Sequence, residues 1–277
     1  MFQSGDAQVE QRLLSLVVEF VLFVISGKMP AQVAVLLGGA RLIPVPKSAN
    51  AYRPIAIGET LRRLVGKVIV QIYGPILADD LAPEQFGVCR PGGMEAIIHD
   101  VNYWFKTLSQ QNGCCILQLD FRNAFNTLSR GHILSLLKDC PDCLRHYANF
   151  FCNGPLPLYG PGFQVTSSTG VQQGDPCGPL LFSLGIHPLL RQLSALDIEV
   201  RFYLDDGILY GKPESLVEAL DLINAFGVKT NLVLNVSKCQ LWDPWSFCAM
   251  TSSAALKAVR RVPSEFGLTV LGVPTNL

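Results

Sequence analysis

Three aspartates carry the chemistry this chain could do. Asp205 and Asp206 interrupt two apolar, β-prone runs, "VRFYL" and "ILY", and Asp120 ends a third, "CCILQLD". Asp206-Gly207 between strand-like runs is a strong hairpin signal, so the pair stands at or beside a hairpin tip. Adjacent carboxylates repel and raise each other's pKa unless something neutralises them. If the strands are neighbours in one sheet, all three side chains converge on one edge. A hard, oxygen-rich site of that kind suits Mg2+, which takes one or two carboxylates and leaves its other positions to water and phosphate. Two such ions, about 3.5–4 Å apart, would clamp the attacking and leaving oxygens of an in-line phosphoryl displacement. The cations that a triphosphate needs are at hand between residues 41 and 67, where Arg41, Lys47, Arg53, Arg62, Arg63 and Lys67 face only Glu59. Arg62, Arg63 and Lys67 could follow a nucleic-acid backbone or line a solvated helix face. Asp-Asp turns also occur on plain surfaces, so the motif gains meaning from its surroundings.

The elements that must position these residues alternate irregularly. "RLIPVPKSANAYRPIAIG" reads as short extended pieces, because Pro44, Pro46 and Pro54 exclude helix interiors. Helical spacing resumes at Thr60, a Gly-Pro loop follows, and a helix is expected from about Gly93 to Leu108. "CCILQLDF" is a buried strand with the helix "GHILSLLKDC" behind it. "GVQQGDPCGPLLFSLGIHPLLRQL" is a Gly-rich loop opening a long helix, with Asp175 as a candidate N-cap and Pro176 at the first helical position. "TNLVLN" and "GLTVLGVP" read as late strands. Helices mixed with hairpins indicate an α+β fold, not a doubly wound sheet.

Bulk properties narrow the function classes. With 277 residues, 49% of them hydrophobic and 16% charged, the chain can build a sizeable core and is not a disordered one. A formal net charge of zero gives no global signal for nucleic acid, which leaves the basic stretch as the one local patch. The run 13–26, "LLSLVVEFVLFVIS", is shorter than the roughly 20 apolar residues of a membrane span and holds Glu19 in its middle. Asp6 and Glu10 ahead of it argue against a signal peptide. A mostly buried core helix is the expectation, with Arg12, Ser15 and Glu19 on one polar stripe and no membrane partner. Nine cysteines without a regular framework point to reduced thiols in an intracellular compartment, nucleus or cytoplasm, and not to secretion. Cys140, Cys143, His146 and Cys152 are spaced C-x2-C-x2-H-x5-C, tighter than common zinc modules, and read as ordinary buried thiols and a histidine.

Taken in order, "LQLDFRNAFN", "GVQQGDPCGPLLFSL" and "FYLDDGILYG" resemble the three central palm motifs of reverse transcriptases. The flanking pieces agree. "ARLIPVPKSANAYRPIAIGETLRRLVGK" is similar to the fingers segment of non-LTR retrotransposon (LINE-like) enzymes, and "QFGVCRPGGMEAI" to the loop and helix that follow it. "LVLNVSKC" resembles the motif that ends in a lysine, and "LTVLGVP" the primer-grip hairpin. The resemblance runs from about residue 20 to the end. It implies a right-hand polymerase palm, an antiparallel sheet flanked by helices, spanning 113–277, with an N-terminal helix and fingers over 1–112 and no thumb.

The resemblance also implies roles. Asp120 and Asp205 would be principal ligands of two Mg2+ ions, with Asp206 more peripheral and the Phe121 backbone carbonyl completing one coordination sphere. Phe125 would be a steric gate whose ring leaves no room for a ribose 2′-hydroxyl. Gln173 and Gly174 would lie against the incoming nucleotide and template base. Lys47 and Arg53 would hold the triphosphate, and Lys238 would protonate the leaving pyrophosphate. The implied partners are an RNA template with a DNA primer and dNTPs; oligomeric state is not implied. Leu204 stands where related enzymes more often carry Ala, and Cys177 where Leu is common. Two other readings stay open: a retroelement remnant that binds nucleic acid poorly and catalyses little, and an RNA-dependent RNA polymerase, against which Phe125 speaks.

Overall fold

The computed structural model describes residues 7–48, 51–107, 113–250, 253–263 and 266–275. Helix α1 (Ala7–Ile25) and helix α2 (Ala31–Gly38) lead into strands β1 (Ala40–Ser48) and β2 (Ala51–Gly58). These two pair antiparallel over nearly their whole length, with Pro44 opposite Pro54. The prolines that exclude helix thus sit in a long hairpin. Helix α3 (Thr60–Asp80) and helix α4 (Gly93–Thr107) follow, then strand β3 (Cys115–Leu119) and helices α5 (Ala124–Thr127), α6 (Arg130–Leu136) and α7 (Asp142–Cys152). Strands β4 (Leu156–Gly160) and β5 (Phe163–Ser167) precede the long helix α8 (Gly178–Ser194). Strand β6 (Ile198–Tyr203) and strand β7 (Asp206–Gly211) form the acidic hairpin, followed by helix α9 (Pro213–Thr230) and strand β8 (Gln240–Trp242). Helix α10 (Ala254–Lys257), strand β9 (Arg260–Val262) and the hairpin of β10 (Leu268–Val270) with β11 (Val273–Thr275) close the described chain.

The central sheet runs β6-β7-β3-β8-β9, antiparallel except for the last pair. Strand side chains alternate between faces, and here both faces are covered. Cys115, Leu117 and Leu119 of β3 join Val200, Phe202 and Leu209 in the core with Phe182, Ile186 and Ile223 of α8 and α9. Ile116, between them, turns the other way and packs with Ile208, Ile97, Val101, Trp104 and Phe105, most of them on α4. Each such buried side chain contributes roughly 1.5–3 kcal/mol. The α+β palm-like architecture expected from the sequence is the one observed.

A second sheet has the order β2-β1-β4-β5. Strands β4 and β5 fall in the expected palm region, yet β4 pairs parallel with β1 at Ala40 and Arg41. The second sheet therefore joins strands from both sides of residue 112, because the edge of β1, 118 residues earlier at the paired positions, offers the hydrogen bonds that β4 needs. Leu108 lies outside the described residues. "TNLVLN" is not a strand: α9 runs through Thr230, and only Leu234 bridges to Phe121.

Helix α1 is not the buried core helix its apolar run suggested. Val24 is its one buried residue among the described ones, while Leu13, Leu14, Leu16, Val18, Leu22 and Phe23 are exposed. Only its last turns, through Phe20, Val21 and Ile25, reach the core. Among the described residues, no helix is long and apolar enough to cross a membrane.

One buried ion pair ties α3 to the loop before α8. The guanidinium of Arg62 lies 2.5 Å from Asp175, donates to the Gly38 carbonyl at 2.8 Å, and sits 3.9 Å over the Phe151 ring. The Tyr147 hydroxyl donates to the same carboxylate at 3.1 Å. Arg62 is 3% exposed, so it neither tracks a nucleic-acid backbone nor lines a solvated face. Asp175 is likewise no helix cap of the simple kind; α8 starts at Gly178, and the Cys177 N–H donates to Asp175 at 2.9 Å. Removing Arg62 strands a buried carboxylate. Arg62→Ala is expected to lower stability by about 3–5 kcal/mol in urea denaturation. Adding Asp175→Asn should recover part of that loss, and no recovery would contradict this account.

Candidate active site

The acidic site is assembled by strand register. Leu119 of β3 stands opposite Gly207 of β7, so the next residue of the one strand, Asp120, meets the previous residue of the other, Asp206. The two central residues of the β6–β7 loop are Leu204 and Asp205, flanked by the pair Tyr203 and Asp206. The sequence signal Asp206-Gly207 located the hairpin but put its turn two residues late. Gly207 is needed inside β7 instead, because a Cβ there would lie 2.5 Å from the Phe202 ring. Leu204 takes the left-handed backbone at φ 56°, a conformation a leucine seldom adopts.

Asp120 itself is fixed by backbone bonds. Its carbonyl accepts from the Asn235 N–H at 2.8 Å, its own N–H points at the Cys239 sulfur at 3.4 Å, and the Arg122 N–H donates to Val233 at 2.8 Å. These bonds hold the loop 233–239, and with it Lys238, beside the aspartate.

A cleft of about 800 Å³ opens over this edge. Its walls include Asp120, Phe121, Phe125, Gln173, Gly174, Asp205, Asp206, Lys47, Arg53 and Lys238. The ten residues to which the resemblance gives a role thus border one cleft, while Arg41, Arg62, Arg63 and Lys67 do not line it. Asp120, Asp206 and Lys238 also line a second cleft of about 310 Å³ with Gln118, Gln240 and Arg260. Phe121 and Phe125 are buried, and Phe125 stacks on Phe182 with ring centres 4.5 Å apart. Lys47 and Arg53, opposite strands of the long hairpin, are exposed. Gly174 has φ 116°, and a Cβ there would come 2.6 Å from the Ala56 carbonyl. The close approach that demands glycine is therefore to β2, where the Ala56 N–H also donates to the Gln173 carbonyl at 2.6 Å.

Burial raises the Asp205 carboxyl, and Asp120 raises it further, while Lys47 and Arg53 oppose them. Asp206 is pushed up to about 6 by burial, then by Asp205 and Asp120. The residue keeps part of its surface open to solvent at the cleft rim, which moderates the cost. The ligand oxygens of the three carboxylates do not all lie within 4.8 Å of one another. A group whose folded pKa exceeds the unfolded value contributes stability at low pH and loses it as pH rises through the folded pKa. With chelator present, stability should therefore decline between about pH 4 and pH 6 on account of Asp206, and Asp206→Asn should flatten that decline in thermal melts.

Among the described residues, a different trio does lie within 4.8 Å: Cys115, Asp243 and Cys248, all buried. Asp243 is already satisfied there, accepting from the Phe247 and Cys248 N–H groups at 2.9 Å each with Arg261 at 3.5 Å. The Cys140, Cys143, His146 and Cys152 set does not converge in this way; His146 is bonded through Nδ1 to the Ile25 carbonyl at 2.7 Å. Sequence reasoning named Arg62 and Asp175 but missed their buried pairing, and it missed Gln85, a buried glutamine against the hairpin tip. No local pattern marks them, since their partners lie more than a hundred residues away.

A family model described as reverse transcriptase (RNA-dependent DNA polymerase) matches residues 45–259. The chain is 26% identical over 231 residues to the Pol polyprotein of the type-2 retrotransposable element R2DM of Drosophila melanogaster, covering 72% of this chain and 21% of that protein. It is 28% identical over 220 residues to the retrotransposable element SLACS 132 kDa protein of Trypanosoma brucei gambiense, covering 73% and 18%. The chain thus spans about a fifth of the length of these relatives. Among solved structures it resembles Candida albicans telomerase in complex with a fragment of telomeric RNA, with a TM-score of 0.57 at 9% identity over 81% of this chain and 44% of that one. That likeness concerns the fold.

Proposed function

Since the chain belongs to the reverse transcriptase (RNA-dependent DNA polymerase) family, we propose that its cleft adds dNTPs to a DNA primer 3′-hydroxyl on an RNA template. One observation carries the reading: β3 and β7 are antiparallel neighbours whose register brings Asp120 and the Asp205–Asp206 turn to one edge, opposite the cationic Lys47 and Arg53. In this reading Asp120, Asp205 and Asp206, with the Phe121 carbonyl, hold two Mg2+ ions. The donor set is all oxygen and its repulsion is only partly offset by two cations, which fits a hard dication. Bound there, the ions supply a lowered pKa for the attacking hydroxyl and charge neutralisation for the phosphates.

The chain's own groups do the rest. Lys47 and Arg53 bind the triphosphate and orient the α-phosphate for in-line attack. Lys238 holds a proton near the departing pyrophosphate. Phe125 presents its ring to the sugar, and Gln173 and Gly174 form the floor on which the nascent base pair rests.

Primer extension tests this. Purified chain, an RNA template with annealed DNA primer, Mg2+ and dNTPs should yield lengthened primer. Product from NTPs alone would favour an RNA polymerase, and a folded sample that makes none from either would be an idle remnant.

A further inference from the structure

Between α3 and α4 the segment Glu84–Gly87 runs alongside β6. The Phe86 N–H donates to the Phe202 carbonyl at 2.7 Å and the Phe202 N–H to the Glu84 carbonyl at 2.7 Å, a short parallel ladder. This ladder carries Gln85, 1% exposed, to the tip of the acidic hairpin. Its Oε1 accepts from the Leu204 N–H at 2.8 Å and from the Gly87 N–H at 2.9 Å. Its Nε2 donates to the Leu204 carbonyl at 3.2 Å. Gly87 makes the approach possible, because a Cβ there would sit 2.7 Å from both the Leu204 N and its Cγ.

Leu204 is the residue at φ 56°, immediately before Asp205. A leucine stays in that region only where its surroundings over-determine it. A side-chain carboxamide that bonds the amides on both sides of Leu204 does that, acting as a third strand where the sheet itself ends. We propose that Gln85 is the positioning residue of the carboxylate cluster: by fixing the peptides that flank Leu204 it sets where Asp205 and Asp206 stand relative to Asp120. It touches neither substrate nor reacting atoms. Gln85 works through the hairpin, as partners behind metal ligands do, and losing such partners typically weakens metal binding about 10–100-fold.

The inference rests on the reading of the cleft as a Mg2+ site, but its first test does not. In the metal-free protein, amide hydrogen exchange at Leu204 should be at least about 10-fold faster in Gln85→Ala than in wild type, with Leu209 in β7 unchanged. Mn2+ titration followed by its EPR signal should show about 10-fold weaker binding, and primer extension a fall in kcat at nearly constant KM for dNTP. Should Gln85→Ala not fold, Gln85→Met keeps the length of the side chain while removing its hydrogen bonds to Leu204 and Gly87 without adding charge, and the same effects are expected. Wild-type protection at Leu204 in a folded variant overturns the inference, as does wild-type Mn2+ affinity. An inactive wild type that still shows the Leu204 exchange effect would instead defeat the polymerase reading alone.

Discussion

Asp205→Ala is expected to cut dNTP incorporation by on the order of 10³-fold or more, as removal of a group that stabilises transition-state charge does in comparable sites. The residue sits in the two-residue loop at the cleft, its side chain raised in pKa by burial and by Asp120. Those two causes mean that the folded protein holds the anion at a cost, which Lys47 and Arg53 oppose. In the proposed reading alanine removes a metal ligand, and the phosphoryl step would lose charge neutralisation that Lys47 and Arg53 alone would not replace. Asp205→Asn preserves shape and should be nearly as inactive, which separates charge from packing. Fold and activity should part company here. In chelator both variants should melt at or above the wild-type temperature near neutral pH, because the charged form is the destabilised one in the folded state. A variant that is inactive because it is unfolded would melt below wild type instead.

Phe125→Val is expected to reduce discrimination against ribonucleotides by on the order of 100-fold, read as the ratio of kcat/KM for dNTP and rNTP. The ring is 8% exposed, borders the main cleft and stacks on Phe182 at an interplanar angle of 12°. Stacking fixes its plane, so the edge it shows the cleft is rigid, and a rigid wall rejects a hydroxyl where a mobile side chain would yield. The same stacking makes it a core residue. Truncation should therefore also cost stability, about 2–4 kcal/mol by analogy with large-to-small core changes. The two effects are separable: lost stability with an unchanged sugar preference would make Phe125 a packing residue and nothing more.

Much of the site was legible because its signals are local. Apolar, β-prone runs marked β3, β6 and β7, and strand ends carrying aspartate marked where they would gather. Other features depended on distant partners. Whether Arg62 is solvated or buried turns on a carboxylate 113 residues away. The β4–β5 hairpin joins the second sheet because β1 has a free edge, which no window of sequence around residue 156 records. Helix α1 has the composition of a core helix, but its apolar side chains meet the core only in its last turns. The turn itself shows the limit most clearly. Asp-Gly chemistry favours a turn at 206–207, yet β3 pairing through Leu119 and Gly207 and the Gln85 bonds to Leu204 draw the loop back to 204–205. Sequence by itself determined which residues carry charge, which strands they end, and the order of the motifs, since those follow from side-chain type and period. Only the tertiary structure decided register, burial and the backbone of the loop, since these are set by whichever surface the chain meets after it has folded back on itself.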